Sequence, residues 1–233
     1  MLQNNERSQP ATLDTFTLHS TCTIIPDLLV LRYMAQKMRA HLYALSTDIA
    51  TPSIMYAQER RSRTHRMVVY QPQEALFTSN LTFVGFISAV SKQVSPATIE
   101  ELHRIDKILV QELASNPGLL TYSSLELRKG RWYNLVLLRD DSAHAYFRQN
   151  AMHRYAAHEL ATYYYAWIRL HKGILPGGLS GVTQDVTRHG RSTSSAGEDM
   201  IVRSTKYFTF AGCGQQPVIR QVMRDDYRKK TLA

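Results

Sequence analysis

The 233-residue chain has two cysteines, Cys22 and Cys213, far apart and outside any Cys-x-x-Cys or Cys/His ligand spacing. That scarcity argues against a disulfide framework and a structural zinc site, and a Cys22–Cys213 bridge is not expected. The first ten residues carry no apolar h-region, and no run of about eighteen uncharged apolar residues occurs anywhere, as a secretory signal or a membrane-spanning helix would need. The expectation is a cytoplasmic protein without a membrane partner. Glycine-rich phosphate loops, a GxSxG elbow and sequence signatures of nucleophile triads are missing as well. Acidic residues are few, 19 against 28 Lys and Arg, which leaves a net charge of +9.

What is present suffices for a globular core, since 44% of the residues are apolar. The excess positive charge raises the question of an acidic partner. It lies in three groups: Arg60, Arg61, Arg63 and Arg66; Arg128, Lys129 and Arg131; and Arg224, Arg228, Lys229 and Lys230. The first two read as hairpin tips and the third as a frayed tail, where solvated charge is the ordinary explanation and a nucleic-acid partner is not expected.

The spacing predicts alternating elements from Leu81 onward. Leu81 to Val90 reads as a strand, and Ser95-Pro96 supplies an N-cap and a proline at the first helical position. Ile99, Leu102, Ile105, Leu109 and Leu113 then recur at helical steps until Asn116-Pro117-Gly118. Residues 119–128 and 131–139, joined at Lys129-Gly130, form a hairpin. Asp140-Asp141-Ser142 caps a helix predicted to run unbroken to Thr162, with Ala145, Gln149, Met152, Ala156 and Leu160 along one stripe, and Tyr163 to His171 is a strand. The order is the βαββαβ of an α+β, ferredoxin-like unit.

The chain accordingly divides into an N-terminal region 1–78, a ferredoxin-like domain 79–175, a mobile Gly/Ser/Thr-rich loop 176–203 and a C-terminal strand with a basic tail, 204–233. In the first region Thr15 to Ile25 reads as a strand and Pro26 to Leu45 as a helix with Leu28, Leu31, Ala35, Met38 and Leu42 on one face. Residues 53–59 and 66–70 read as a hairpin. This is either a degenerate repeat offset by roughly 65 to 70 residues or a chance likeness of alternating elements.

Chemistry concentrates between Arg131 and His171. On an unbroken helix Tyr146, Asn150 and His153 share one flank, which either meets a ligand or faces water and packing. Asn134 interrupts an apolar strand, on the face of Trp132, Val136 and Leu138, and is either a structural tie or a ligand contact. Trp167, Arg169 and His171 share a strand face, where Arg169 neutralises either an anionic ligand or a structural carboxylate. The histidines are spaced wrongly for a metal: His144 and His158 lie about 21 Å apart along such a helix, and His153 and His158 point in different directions.

At Arg131-Trp132-Tyr133-Asn134-Leu135-Val136-Leu137-Leu138, followed by His144 through His153, the chain resembles the antibiotic-biosynthesis-monooxygenase-like proteins of the dimeric α/β-barrel superfamily. Tyr146, Asn150-Ala151 and His153 stand at corresponding places, and the resemblance covers roughly residues 81 to 172. It implies two sheets packed face to face, as a homodimer or an internal pseudo-dimer, around a small aromatic or hydrophobic ligand. It also implies an oxygen-dependent oxidation that uses either no cofactor or haem. His153 would be the proton-transfer residue or haem ligand, Asn134 and Tyr146 would position substrate, and Asn150, Trp132, Trp167, Arg169 and His171 would line the site. Tyr146 departs from the family, standing where its cofactor-less members have an essential tryptophan. A non-catalytic interaction protein of the same fold is the alternative. RNA-recognition domains share the element order, but Arg131 and Val136 occupy positions where those domains need aromatic rings.

Overall fold

The computed structural model describes residues 15–45, 50–180, 200–210 and 218–223, the side chains of 15–23 and 220–223 excepted. The first element is α1 (Thr15–Ala44), a helix that carries Pro26 in its interior. The strand expected over Thr15 to Ile25 is therefore corrected to helix. Its threonines and isoleucines give a strand signal locally, but from Ile24 onward the buried positions Ile24, Leu31, Met34, Met38 and Leu42 keep helical spacing, and that stripe overrides propensity.

A hairpin follows, β1 (Ser53–Glu59) and β2 (Arg63–Val69), then the short α2 (Pro72–Phe77), β3 (Asn80–Val90) and α3 (Pro96–Glu112). The start of α3 is set as its sequence implies: the Ser95 hydroxyl accepts the Thr98 N–H at 3.1 Å, and Pro96 takes the first turn. β4 (Leu119–Arg128) and β5 (Arg131–Leu138) form the second hairpin.

The next helical segment is not continuous, a second correction. It comprises α4 (Ala143–Gln149), α5 (Ala151–Arg154), a π turn (Tyr155–Leu160) and α6 (Ala161–Tyr164). β6 (Tyr165–Pro176), β7 (Ile201–Thr209) and β8 (Val218–Met223) complete the order. Both β6 and β7 are longer than their sequence signals. Most of the expected 176–203 loop and the basic tail from Arg224 lie outside the described residues.

All eight strands form one antiparallel sheet in the order β1-β2-β4-β5-β3-β6-β7-β8. The architecture is α+β, and the N-terminal hairpin joins the strands of the 79–175 region through β2 and β4.

Period-two alternation assigns the two faces. Met67 and Val69, Leu81, Phe83 and Ile87, Leu125, and Tyr133, Leu135 and Leu137 point to one side, where they enclose the apolar stripe of α1 in the main core. Gly85 lets α1 approach closely, since a Cβ there would lie 2.4 Å from a Leu31 methyl. On the other side Val68, Leu138, Val84 and Val136 meet Val110 of α3 and Ala143 and Phe147 of α4 in a smaller cluster. The result is three layers. The resemblance implies that a second sheet covers the face opposite α3 and α4; here α1 of the same chain covers it.

Candidate functional site

The strand residues Asn134 and Trp132 lie on the face toward α3. The register places Asn134 between Phe86 of β3 and Ser124 of β4. Its side-chain oxygen accepts the Tyr122 hydroxyl at 2.9 Å. Arg66 of β2 donates to that hydroxyl at 3.4 Å and forks onto Asp106 of α3 at 2.5 and 2.7 Å. Burial raises the Tyr122 phenol above its ordinary range, although Arg66 opposes it. Burial disfavours the Arg66 cation too, but its hydrogen bonds to Asp106 outweigh that and hold the guanidinium charged. A polar relay thus crosses three strands to a helix, and Asn134 is its last member. Trp132, half-buried, stands beside Ser88, whose sealed hydroxyl has no hydrogen-bond partner among the described residues.

The helical residues do not form the expected flank, because the helix breaks at Asn150 (φ −67°, ψ 121°). The Asn150 side-chain oxygen accepts the His153 N–H at 2.7 Å, so this residue is the N-cap of α5. Asparagine favours caps because its amide competes with helical backbone bonding, and that signal is legible in the sequence. The Asn150 amide nitrogen donates to Glu112 at 3.0 Å, and the Tyr146 hydroxyl bonds the Ser115 hydroxyl. Both residues tie the broken helix to the C-terminal end of α3. The His153 ring centre lies 5.5 Å from that of Phe147, and burial, with the His158 charge, lowers its pKa.

Trp167, Arg169 and His171 share the α1 face as their spacing implies, and what meets them is Asp27. This carboxylate, 1% exposed, takes Arg169 at 2.7 and 2.8 Å and His171 Nε2 at 2.9 Å. The Tyr133 hydroxyl donates to it at 3.4 Å, and His171 Nδ1 lies 3.0 Å from the Thr205 hydroxyl. Burial pushes the Asp27 carboxyl up, yet the hydrogen bonds from His171 and Arg169 bring it below the ordinary value. The guanidinium carbons of Arg131 and Arg169 lie over the Trp167 ring, 4.8 and 4.5 Å from its centroid. Sequence reasoning overlooked Asp27. Its signal was an acid on the buried stripe of a helix, four residues before Leu31.

A second carboxylate–imidazole–hydroxyl set lies across the same face. His65 contacts Glu59 at 3.4 Å through Nδ1 and Ser123 at 3.1 Å through Nε2. Tyr33 of α1 stacks over the imidazole and bonds Glu59. The connectivity is that of a nucleophilic relay, but His65 and Ser123 are 0% and 1% exposed, and a substrate carbonyl has no approach to a sealed hydroxyl. Burial lowers the His65 pKa despite Glu59.

Among the described residues no group of three or more His, Cys, Asp or Glu side chains is arranged to hold a metal ion. Nor do the surroundings of His153 fit haem: its ring packs on Phe147, while Tyr146 and Asn150 are bonded to Ser115 and Glu112. An open groove runs along α3 from Pro96 to Ile108, lined also by Ile99, Glu100, His103 and Lys107, and none of the expected site residues borders it. Comparison with known proteins finds no matching family model, no matching curated protein and no matching solved structure.

Proposed function

We propose that this chain is a non-catalytic binding protein, built on a ferredoxin-like unit over residues 79–175 and carrying its own cover helix, α1. The order β4-β5-β3-β6 within the sheet supports the ferredoxin-like part of this reading. A cytoplasmic location goes with it; among the described residues no helix is long and apolar enough to cross a membrane. The observation that carries the reading is that the Asn134 oxygen, the Tyr146 hydroxyl and both side-chain polar atoms of Asn150 are bonded to partners within the chain. Groups held this way set geometry, and function then falls to the surface.

The test is a titration of the full chain with haem and with a simple phenol, followed by absorbance and tryptophan fluorescence. No Soret band and no saturable quenching are expected. A Soret band that His153→Ala removes, or phenol quenching that Asn134→Ala removes, overturns the proposal.

One observation favours a second reading, a small aromatic ligand oxidised with Asn134, Tyr146 and His153 around it. The Ser88 hydroxyl is sealed beside the half-buried Trp132 with no hydrogen-bond partner among the described residues, and a ligand oxygen admitted by movement of that indole would satisfy it. Saturable phenol quenching lost in Ser88→Ala would support this reading; unchanged fluorescence sinks it.

A further inference from the structure

The two arginine-rich turns are 65 residues or more apart in the sequence, but the sheet brings them together. β2 and β4 are antiparallel neighbours with His65 opposite Leu125. Two residues back along β2 is Arg63, and three residues forward along β4 is Arg128. The β1–β2 and β4–β5 tips therefore lie on the same rim, with centres about 10 Å apart at the usual strand spacing. The end of β3 joins them, since the Val90 N–H bonds the Gly130 carbonyl at 2.8 Å, and Lys92 follows two residues later.

This rim exposes Arg60, Arg61, Lys92, Arg128 and Lys129, with Arg63 half-buried among them. Among the described residues no carboxylate pairs with any of the six. The acids of the neighbouring strand ends are engaged elsewhere: Glu126 accepts the Gly130 N–H at 2.6 Å, and Glu59 holds His65 and Tyr33. The β1–β2 turn adds a separate observation. Arg61 and Ser62 have φ of 63° and 54°, a left-handed conformation that such turns ordinarily give to Asn or Gly. A long cation is placed there at some cost in backbone strain.

We infer that this rim is a binding surface for the phosphate backbone of duplex nucleic acid, engaged by the two hairpin tips and Lys92 without reading base sequence. The inference rests on the binding-protein reading above and names its partner. Six cations without a carboxylate partner among the described residues, five on the two tips and Lys92 beside them, match a surface of closely spaced phosphates, and association driven by counterion release needs no shaped pocket. Base stacking on the sheet, the mode of RNA-recognition domains, is closed here because α1 covers the helix-free face. A duplex, with its phosphates outward, suits such a rim better than unstacked bases do.

The experiment measures fluorescence anisotropy of a labelled 20-base-pair duplex of mixed sequence with the full chain between 50 and 200 mM salt. Affinity is expected to fall with a log–log slope of about −4 to −5. Arg128→Ala with Lys129→Ala, and separately Arg60→Ala with Arg61→Gly, should each reduce that slope by about 2. Glycine at 61 keeps the left-handed turn. Arg148→Ala with Arg154→Ala removes the same charge from α4 and α5 and should leave the slope unchanged, as should alanine at Arg224, Arg228, Lys229 and Lys230. Far-ultraviolet circular dichroism and a thermal melt confirm that each variant is folded.

Rim variants that bind like the unsubstituted chain, binding abolished by the tail substitutions alone, or tighter association with phosphatidylserine vesicles or polyglutamate than with duplex would overturn the inference. Failure here without a haem or phenol response leaves the binding-protein reading standing. A haem or phenol response defeats that reading whatever the duplex does.

Discussion

Asp27 on α1 and Arg169 on β6, 142 residues apart in the chain, meet as a two-bond fork, the guanidinium donating to both carboxylate oxygens at 2.8 and 2.7 Å. His171 adds a third bond to the same carboxylate. Removing the acid leaves a buried cation without its counter-charge. Asp27→Ala is therefore expected to cost about 3–5 kcal/mol of stability, read as a lower urea midpoint with an unchanged m-value.

Acid should weaken the fold in two stages. Burial, together with the nearby Lys172 charge, lowers the His144 pKa from 6.5 to about 4. As pH falls below 6.5 the unfolded chain takes up that proton before the folded one does, so stability declines until about pH 4 and then levels for this group. His65 and His153 are lowered as well and act in the same direction. Asp27 contributes the second stage: its folded pKa is depressed below 3.8, so its contribution is present above that value and is lost as pH falls beneath it. Urea titrations at pH 7, 5.5 and 4.5 should show the first decline, and His144→Gln should make it shallower, the remainder coming from groups such as His65 and His153.

Two strand glycines make contrasting predictions. A Cβ at Gly173 would lie 2.0 Å from the Ile201 carbonyl oxygen and 2.6 Å from the Phe83 ring, so backbone must move. At Gly85 the obstacle is the end of the Leu31 side chain, which has other rotamers. Gly173→Ala should cost at least the 1–3 kcal/mol or so of ordinary overpacking, and Gly85→Ala less. The difference between their thermal midpoints measures this.

Asn150→Ala removes the cap of α5 and the bond to Glu112. A loss of about 1 kcal/mol is expected from the cap, whereas Asn150→Ser, which keeps an uncharged acceptor for the His153 N–H beside the Glu112 carboxylate, should recover most of it. Amide hydrogen exchange at His153 locates the effect: faster exchange in Asn150→Ala, near-native exchange in Asn150→Ser.

From Leu81 to His171 the element order was legible because each element states its own period: Ile99, Leu102, Ile105 and Leu109 recur at helical steps, and Tyr133, Leu135 and Leu137 alternate. The α1 stripe was legible from Pro26 onward, while its first turns were hidden behind threonines whose local preference is extended. The site was read less well for a related reason. Tyr146, Asn150 and His153 share a flank only if the helix is continuous, and Asn150 itself breaks it by bonding the backbone. Asp27 and Tyr122 were invisible as partners of Arg169 and Asn134, since only tertiary packing joins residues so distant in sequence. The two arginine-rich turns were legible singly; that they share a rim depends on β2 lying beside β4.

With α1 on one face and α3 to α6 on the other, the central strands of the described sheet are roofed on both sides. Another chain that extended the sheet strand by strand would have to add at β1 or β8, the outer arms of two hairpins. Ile54 and Tyr56 stand exposed on the first, Val218 and Ile219 on the second. Any self-assembly through the sheet would then be lateral, strand beside strand, and would lengthen the array along its hydrogen bonds instead of thickening it.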